Sequence, residues 1–193
     1  MKYIWVFAGK ILPFALFFIL IYVPVRLLIL KRPSDVGHEL ALLALGIFIT
    51  AILSQTLTPD GRLSGFRFFL SDSEQYYNFV PFTALWRLFN YNSGGIEYFF
   101  VVNILGNILL FVPVGLFHRI AFSESLWHSL FFGLAFSGGI EIIQIFLPRT
   151  TDIDDLIMNT IGVVLGGLLG VAFESVVERF RKIAKEREKG RTH

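Results

Sequence analysis

The chain alternates between long apolar runs and shorter polar connections. Five runs have the length of a membrane-crossing helix, at roughly 10–30, 38–57, 98–117, 126–147 and 155–177. A hydrocarbon core about 30 Å thick requires about 20 apolar residues in helical form. The pattern therefore predicts an all-α fold, a polytopic membrane bundle of about five transmembrane helices. Pro13 and Pro24 are expected to kink or fray the first helix without preventing it from crossing.

The composition is typical of a membrane protein rather than a soluble domain. Apolar residues make up 54% of the chain and charged residues only 17%. The absence of cysteine excludes disulfides, thiolate metal sites and cysteine nucleophiles. The four histidines have no partners at ligand spacing. We predict no metal site and no cofactor.

Lys and Arg predict the orientation, because cytoplasmic segments carry an excess of both. They crowd the C-terminal residues 179–193, which we place in the cytoplasm. A basic tail beside a membrane helix is typical of an anchor, so we expect no nucleic-acid partner. Five crossings then place the N-terminus outside. The outer segments also carry Arg62, Arg67, Arg87 and Arg149, which oppose this orientation, but nearby acidic residues partly match them.

Three regions follow from this arrangement. Residues 1–37 are predicted to form the N-terminal transmembrane helix and a short cytoplasmic loop. Residues 38–178 form the membrane domain, and residues 179–193 form the basic cytoplasmic tail. We predict no repeat within the membrane domain, since none is apparent in the sequence.

Glu141 is a carboxylate inside the fourth apolar run. On insertion scales such a group costs about 2.5–3.5 kcal/mol near the middle of a membrane helix, so it usually has a function. Gln144 shares its helix face, three residues further on. Two interpretations remain open. Glu141 pairs with Arg149 and stabilises the bundle, or it acts as a general acid or base.

Amides and further carboxylates follow helical spacing in the neighbouring runs. Asn103 and Asn107 are four residues apart and share a face, where they serve either as interhelical glue or as ligand contacts. Asp152, Asp155 and Asn159 form the upper part of a stripe whose lower part is Gly162, Gly166 and Gly170. The glycines favour close helix packing, within one chain or in a homodimer. Asp152 or Asp154 is also a candidate N-cap.

The connection before the third run contains the sequence Asn78-Phe79-Val80-Pro81-Phe82. An aromatic, proline-bearing stretch beside a membrane helix suits an interfacial helix or a lid in the headgroups. A plain connector explains its composition equally well.

Four motifs in succession resemble the VanZ-like family, named for a protein that confers teicoplanin resistance. They are Asn78 to Phe82, the run from Asn103 and Asn107 to Gly115, Ser137 with Glu141 and Gln144, and Arg149 to Gly162. The resemblance covers roughly residues 40–177. It implies a bacterial protein of the cytoplasmic membrane that reduces the action of teicoplanin-type lipoglycopeptides at the cell surface.

We predict an outward-facing polar pocket that receives the head group of an envelope lipid, a lipid-linked cell-wall precursor or the antibiotic itself. Arg149 would pair with a phosphate or carboxylate, and the acidic residues would hold an ammonium, a cation or a proton. The alternative is a membrane enzyme acting on such a head group, with Glu141 or Asp155 as acid or base. The predicted lining is Asn103, Asn107, Glu141, Gln144, Arg149, Asp152, Asp155 and Asn159.

Overall fold

The computed structural model describes residues 2–26, 35–57, 77–90, 96–147 and 151–189. It is helical almost throughout, which confirms the all-α membrane bundle. The helices are α1 (Lys2–Pro24), α2 (Val36–Thr56), α3 (Thr83–Asn90), α4 (Ile96–Phe122), α5 (Leu126–Gln144) and α6 (Ile153–Lys189). Two short strands, β1 (Tyr77–Asn78) and β2 (Thr151–Asp152), pair in parallel.

Four helices are long and apolar enough to cross a membrane, namely α2, α4 from residue 103 onward, α5 and α6. They correspond to the second to fifth predicted crossings. The first predicted crossing corresponds to α1. The apolar part of α1, Ile11–Pro24, is shorter than the four helices named above. The predicted run continues through residues 27–30, which lie outside the described part of the chain. Helix α1 continues through Pro13 and ends at Pro24.

Helix α6 is much longer than the predicted fifth crossing. It runs without a break from Ile153 to Lys189, through the basic residues that we assigned to a separate tail. At about 1.5 Å per residue such a helix is about 55 Å long, well beyond the thickness of a hydrocarbon core. Arg187 and Lys189 lie in its last turn, where positive charge complements the helix dipole.

Glycines bring α4 and α6 into backbone contact. A Cβ at Gly162 would overlap the carbonyl oxygen of Ile108, and one at Gly166 would overlap that of Val112. In the opposite direction, a Cβ at Gly115 of α4 would overlap the carbonyl oxygen of Val163. Small residues allow this approach because membrane helices associate chiefly through close packing. We call this contact the glycine seam, formed by Gly115, Gly162, Gly166 and Gly170.

The glycine stripe of α6 therefore packs against other helices of the same chain. Gly170 packs against Arg119 of α4, and Gly167 packs against Ser129 of α5. The stripe gives no independent support to a homodimer, which stays a prediction.

The buried apolar core lies between α2, α4, α5 and α6. Its central residues are Ile52, Phe111, Val114, Ile140 and Val163. Helix α1 packs on the outside of α2, where the Phe18 ring covers Gly46. The core thus fills the middle of a bundle of four helices, and polar side chains lie toward the two ends of the bundle.

One end of the bundle is tied by an ion pair. Arg119 of α4 contacts Glu174 of α6, with an N–O distance of 2.6 Å. Next to this pair, the buried His118 ring stacks on Phe132 of α5, with ring centroids 4.2 Å apart. The other end holds the starts of α4 and α6 and the ends of α2 and α5. We call this the polar end, because the predicted site residues lie there.

The glycine seam leads to a prediction about stability, and two glycines outside the seam serve as control positions. Gly115→Ala or Gly166→Ala places a methyl group on a backbone atom that cannot move independently, and overpacking costs about 1–3 kcal/mol. At Gly106 and Gly139, no atom of the described residues lies within 4 Å of the position that an added methyl group would take. Gly106→Ala and Gly139→Ala should therefore be neutral or slightly stabilising, since Ala is the better helix former.

Thermal unfolding of the purified variants in one detergent checks this expectation. Equal melting temperatures for all four alanine variants would show that the seam contributes nothing to stability.

Candidate functional site

The parallel strands attach the segment before α3 to the start of α6. Tyr77 lies opposite Thr151, and Asn78 lies opposite Asp152. The Asn78 side chain donates from Nδ2 to Asp152 Oδ1 at 2.9 Å, and its Oδ1 accepts from the backbone N–H of Val80 at 3.2 Å. This segment is therefore docked on α6 rather than being a plain connector.

Asp154 completes the docking by capping another helix. Its Oδ1 accepts from the backbone N–H of Phe82, and its Oδ2 accepts from the Thr83 hydroxyl at 2.9 Å. Phe82 directly precedes α3 and Thr83 is its first residue, at the end of the helix where backbone N–H groups lack partners within the helix. Phe82 has a φ of 64°, an uncommon backbone conformation that these bonds hold in place.

Helix α3 fits the expectation of an interfacial helix. Two of its large side chains, Trp86 and Phe89, are 63% and 78% exposed. Exposed aromatic side chains of this kind are typical of the membrane–water interface.

Asp152 is the N-cap of α6, one of the two candidates for this role. Its Oδ1 accepts from the backbone N–H of Asp154 at 2.9 Å, the second residue of the helix. Its own backbone N–H donates to Glu141 Oε2 at 3.1 Å. Glu141, only 8% exposed at the end of α5, thereby holds the start of α6.

Asn107 and Asp155 join α4 to α6 at the same level. Asn107 donates from Nδ2 to Asp155 Oδ1. Asn103, one turn earlier on α4, is exposed and forms no hydrogen bond with any described residue. The structure thus brings Asn107 to the predicted acidic residues and leaves Asn103 outside the group.

Gln144 and Asn159 make different contacts. Gln144 donates from Nε2 to the carbonyl oxygen of Thr56 at 3.2 Å, which joins the ends of α5 and α2. Asn159 lies one turn deeper than Asp155 and donates to Ser137 Oγ at 2.9 Å. Both side chains are buried, and each keeps an amide oxygen without a partner among the described residues.

Negative charge accumulates at the polar end. Glu141, Asp152 and Asp155, which we call the carboxylate cluster, are close enough to repel one another electrostatically. The salt bridges of the described residues lie elsewhere, at Arg26–Glu39 and Arg119–Glu174. Arg149, which we predicted to pair with Glu141, lies outside the described part of the chain.

The cluster does not form a metal centre by itself. Within residues 2–26, 35–57, 77–90, 96–147 and 151–189, no three His, Asp or Glu side chains converge in a way that would hold a metal ion. Its carboxylates instead accept hydrogen bonds from backbone N–H groups and amides.

The pocket lining predicted from the sequence did not include several residues that build this site. Asn78 and Ser137 belong to the motifs of the family resemblance, and that signal could have identified them. Thr83 and Thr56 gave no signal, because a hydroxyl or a backbone carbonyl beside an apolar run is unremarkable. All four now have contacts with predicted site residues or with Asp154.

The docked segment predicts an effect of Asn78. Asn78→Ala removes the bond to Asp152, and loss of a hydrogen bond to a charged group costs about 1.5–3 kcal/mol. We expect faster amide hydrogen exchange in residues 77–90 and a lower melting temperature. Asn103→Ala is the matched control, since Asn103 is exposed. Unchanged exchange in residues 77–90 of the Asn78→Ala variant would contradict the docking role.

Comparison with known proteins gives one match. Residues 40–174, well over half of the chain, match the model of the VanZ/LLP1 family, and they include Asn78, the carboxylate cluster and the glycine seam. No curated protein and no solved structure matches the chain. The resemblance seen in the sequence motifs is thus confirmed, and the chain belongs to the VanZ/LLP1 family.

Proposed function

We propose that this protein resides in the bacterial cytoplasmic membrane and lowers the action of teicoplanin-type lipoglycopeptides by binding a polar ligand at the polar end of its bundle. Family membership supports the class of function. The carboxylate cluster supports the place, because it is the strongest concentration of charge in the described transmembrane region.

One observation carries the proposal. Glu141, Asp152 and Asp155 lie together at the ends of apolar helices and make no salt bridge with any described Lys or Arg. Glu141 is buried and Asp152 and Asp155 are half-buried, and taking a carboxylate out of water is costly, about 2.5–3.5 kcal/mol at the centre of a membrane helix. Hydrogen bonds from uncharged donors give these carboxylates structural tasks but leave their charge without a described cationic partner, and we assign that charge a role in binding.

The arrangement favours binding over a purely structural role. The Glu141 and Asp155 carboxylates are each fixed by one hydrogen bond, to the backbone of Asp152 and to Asn107. Fixed carboxylates bind a cationic or hydrogen-bond-donating ligand without first having to be ordered. The ligand is the head group of an envelope lipid, a lipid-linked cell-wall precursor or the antibiotic. Arg149 would pair with a phosphate or carboxylate of that ligand.

The proposed orientation places the polar end outside. Asn107 and Arg119 are twelve residues apart on α4, which separates them by about 18 Å along the helix axis. The basic residues 179–189 extend α6 from the Arg119 end. Since basic segments stay in the cytoplasm, the carboxylate cluster faces the cell surface, where lipoglycopeptides act.

The first test measures teicoplanin susceptibility in a sensitive Gram-positive host. Expression of the chain should raise the minimal inhibitory concentration, and Glu141→Gln or Asp155→Asn should remove most of the increase. The expected loss is about tenfold in ligand affinity, because a charge-assisted hydrogen bond is replaced by a neutral one. Glu178→Gln is the matched control, since Glu178 is exposed on the tail end of α6.

Membrane levels of all variants are measured by immunoblot, so that poor expression is recognised. No protection by the wild-type chain would refute the function. Protection that survives both substitutions at equal membrane level would refute the site. Lost protection with intact ligand affinity would favour an enzyme instead.

The second test uses the absence of cysteine, which makes every introduced cysteine unique. Val80→Cys, before α3, should react with a membrane-impermeant maleimide in intact cells. Ser125→Cys, between α4 and α5, and Lys185→Cys, near the end of α6, should react only after permeabilisation. The native residues at all three positions are exposed. The reverse labelling pattern would overturn the orientation.

A further inference from the structure

An apolar groove lies between α1 and α2, on the outside of the four-helix core. Its volume is about 560 Å³, within the range of roughly 300–1,000 Å³ that is typical of ligand pockets. Phe14, Phe17 and Ile21 line it from α1, and Thr50 and Leu53 line it from α2. Protein interiors contain few voids larger than a water molecule, so a space of this size is more than a packing defect.

Contacts beyond one end of the groove fix α1 on α2. The Phe18 ring lies where a side chain at Gly46 would be, and it closes the groove at this end. One turn further along α1, the Tyr22 hydroxyl donates to Glu39 Oε2 at 2.7 Å. Arg26 Nε donates to Glu39 Oε1 at 2.6 Å. Hydrogen bonds to a carboxylate are stronger than those between neutral groups, so the two helices are held together independently of what fills the groove.

The groove lies in the half of α2 that is nearer to the polar end. Gly46 and Leu53 are seven residues apart, which corresponds to about 10 Å along the helix axis. Thr56, which accepts the hydrogen bond from Gln144 at the polar end, follows Leu53 within one turn. Helix α2 is long and apolar enough to cross a membrane. The groove is therefore at the depth of the acyl chains, just beneath the head groups on the side of the polar end.

The lining of the groove selects a hydrocarbon. Thr50 is the polar side chain among the described residues that line it, and its hydroxyl donates to the carbonyl oxygen of Ile47 in the same helix at 2.9 Å. Water requires two to four polar partners, and apolar cavities stay dry. A polar group moved into the groove would lose its hydrogen bonds without gaining others.

The groove is continuous with a surface that lipid covers. Phe17 and Ile21 at its edge are 65% and 48% exposed, and Leu16 and Leu20 on the same helix are exposed as well. An acyl chain can therefore enter sideways from the bilayer without passing through water. Dispersion contacts with the aromatic and aliphatic lining hold the chain, because an empty groove would lose them.

We propose that the groove between α1 and α2 binds one acyl chain of a membrane lipid, from the leaflet on the side of the polar end. The bound chain completes the packing of α1 against α2. This site shares no residue with the carboxylate cluster, so it goes beyond the function proposed for the polar end and does not depend on it.

Photolabelling of the unaltered chain tests the proposal. The chain is reconstituted in vesicles of phosphatidylglycerol that carries a diazirine in the middle of one acyl chain, and labelled residues are identified by peptide mass spectrometry. Phe14 and Leu53 are half-buried in the groove, whereas Leu109 of α4 and Phe131 of α5 are exposed. We expect at least about threefold more label on the two groove residues, because a retained chain stays beside them while surrounding lipid exchanges.

Labelling that follows exposure, with more label on Leu109 and Phe131 than on Phe14 and Leu53, would overturn the proposal. This outcome would also be the result if another part of the chain filled the groove. The comparison needs no variant and therefore does not depend on any substitution being tolerated.

A variant that fills the groove then tests the position of the chain. Thr50→Trp places an indole in the groove and should lower the labelling of Phe14 and Leu53 at least about threefold, since the retained chain is displaced. Leu109→Trp adds an indole to the exposed face of α4 and should leave this labelling unchanged. Full labelling of both groove residues in the Thr50→Trp variant would contradict the assignment.

Thermal unfolding in detergent shows that the variants are folded and gives a second measurement. Added phosphatidylglycerol should raise the melting temperature of the unaltered chain and of Leu109→Trp, because a ligand that binds only the folded state stabilises it. The increase should be smaller for Thr50→Trp. If Thr50→Trp does not fold, Leu53→Phe fills less of the groove and is compared in the same way through the labelling of Phe14. An equal increase for the unaltered chain and the folded groove variant would count against the site.

Discussion

The glycine seam between α4 and α6 is the constraint on which the site depends. The carbonyl oxygen of Ile108 occupies the position that a side chain at Gly162 would take, so this close packing of the two helices requires glycine there. Asn107 precedes Ile108, and Asp155 lies two turns before Gly162 on the same face. Backbone contact in the seam therefore sets the hydrogen bond between Asn107 and Asp155. Larger side chains in the seam would push α4 and α6 apart and so separate Asn107 from Asp155.

The carboxylates at the polar end accept hydrogen bonds from uncharged donors. Glu141 accepts from the backbone N–H of Asp152, and this bond closes the connection from α5 to α6. Asp152 in turn caps α6, while Asp154 caps α3. Each carboxylate thus has a structural task, yet none of these contacts neutralises a charge. The same groups that fold the connection are carboxylates without a described cationic partner.

Sequence alone predicted the helices and most of the polar residues that the structure brings together at the polar end, and the reasons differ. The length of the apolar runs revealed the helices, because the thickness of a bilayer sets the number of apolar residues that a crossing helix needs. The cost of polar groups in lipid revealed Glu141, and its prediction as a buried residue agrees with the structure. The docking of Asn78 on Asp152 joins residues 74 positions apart and follows no periodicity, so it could not be predicted. Asn103 shares a helix face with Asn107 but is exposed and has no hydrogen bond to a described residue. The unbroken α6 was missed because charged residues end an apolar run without ending a helix.

The continuity of α6 has a mechanical consequence. One helix begins at the carboxylate cluster, lines the seam along α4, and carries the basic residues at its far end. No break in its backbone pattern occurs between Ile153 and Lys189. Because an unbroken helix moves as one rigid arm, any tilt of α6 at the polar end would displace its basic far end by a distance that grows with the length of the helix.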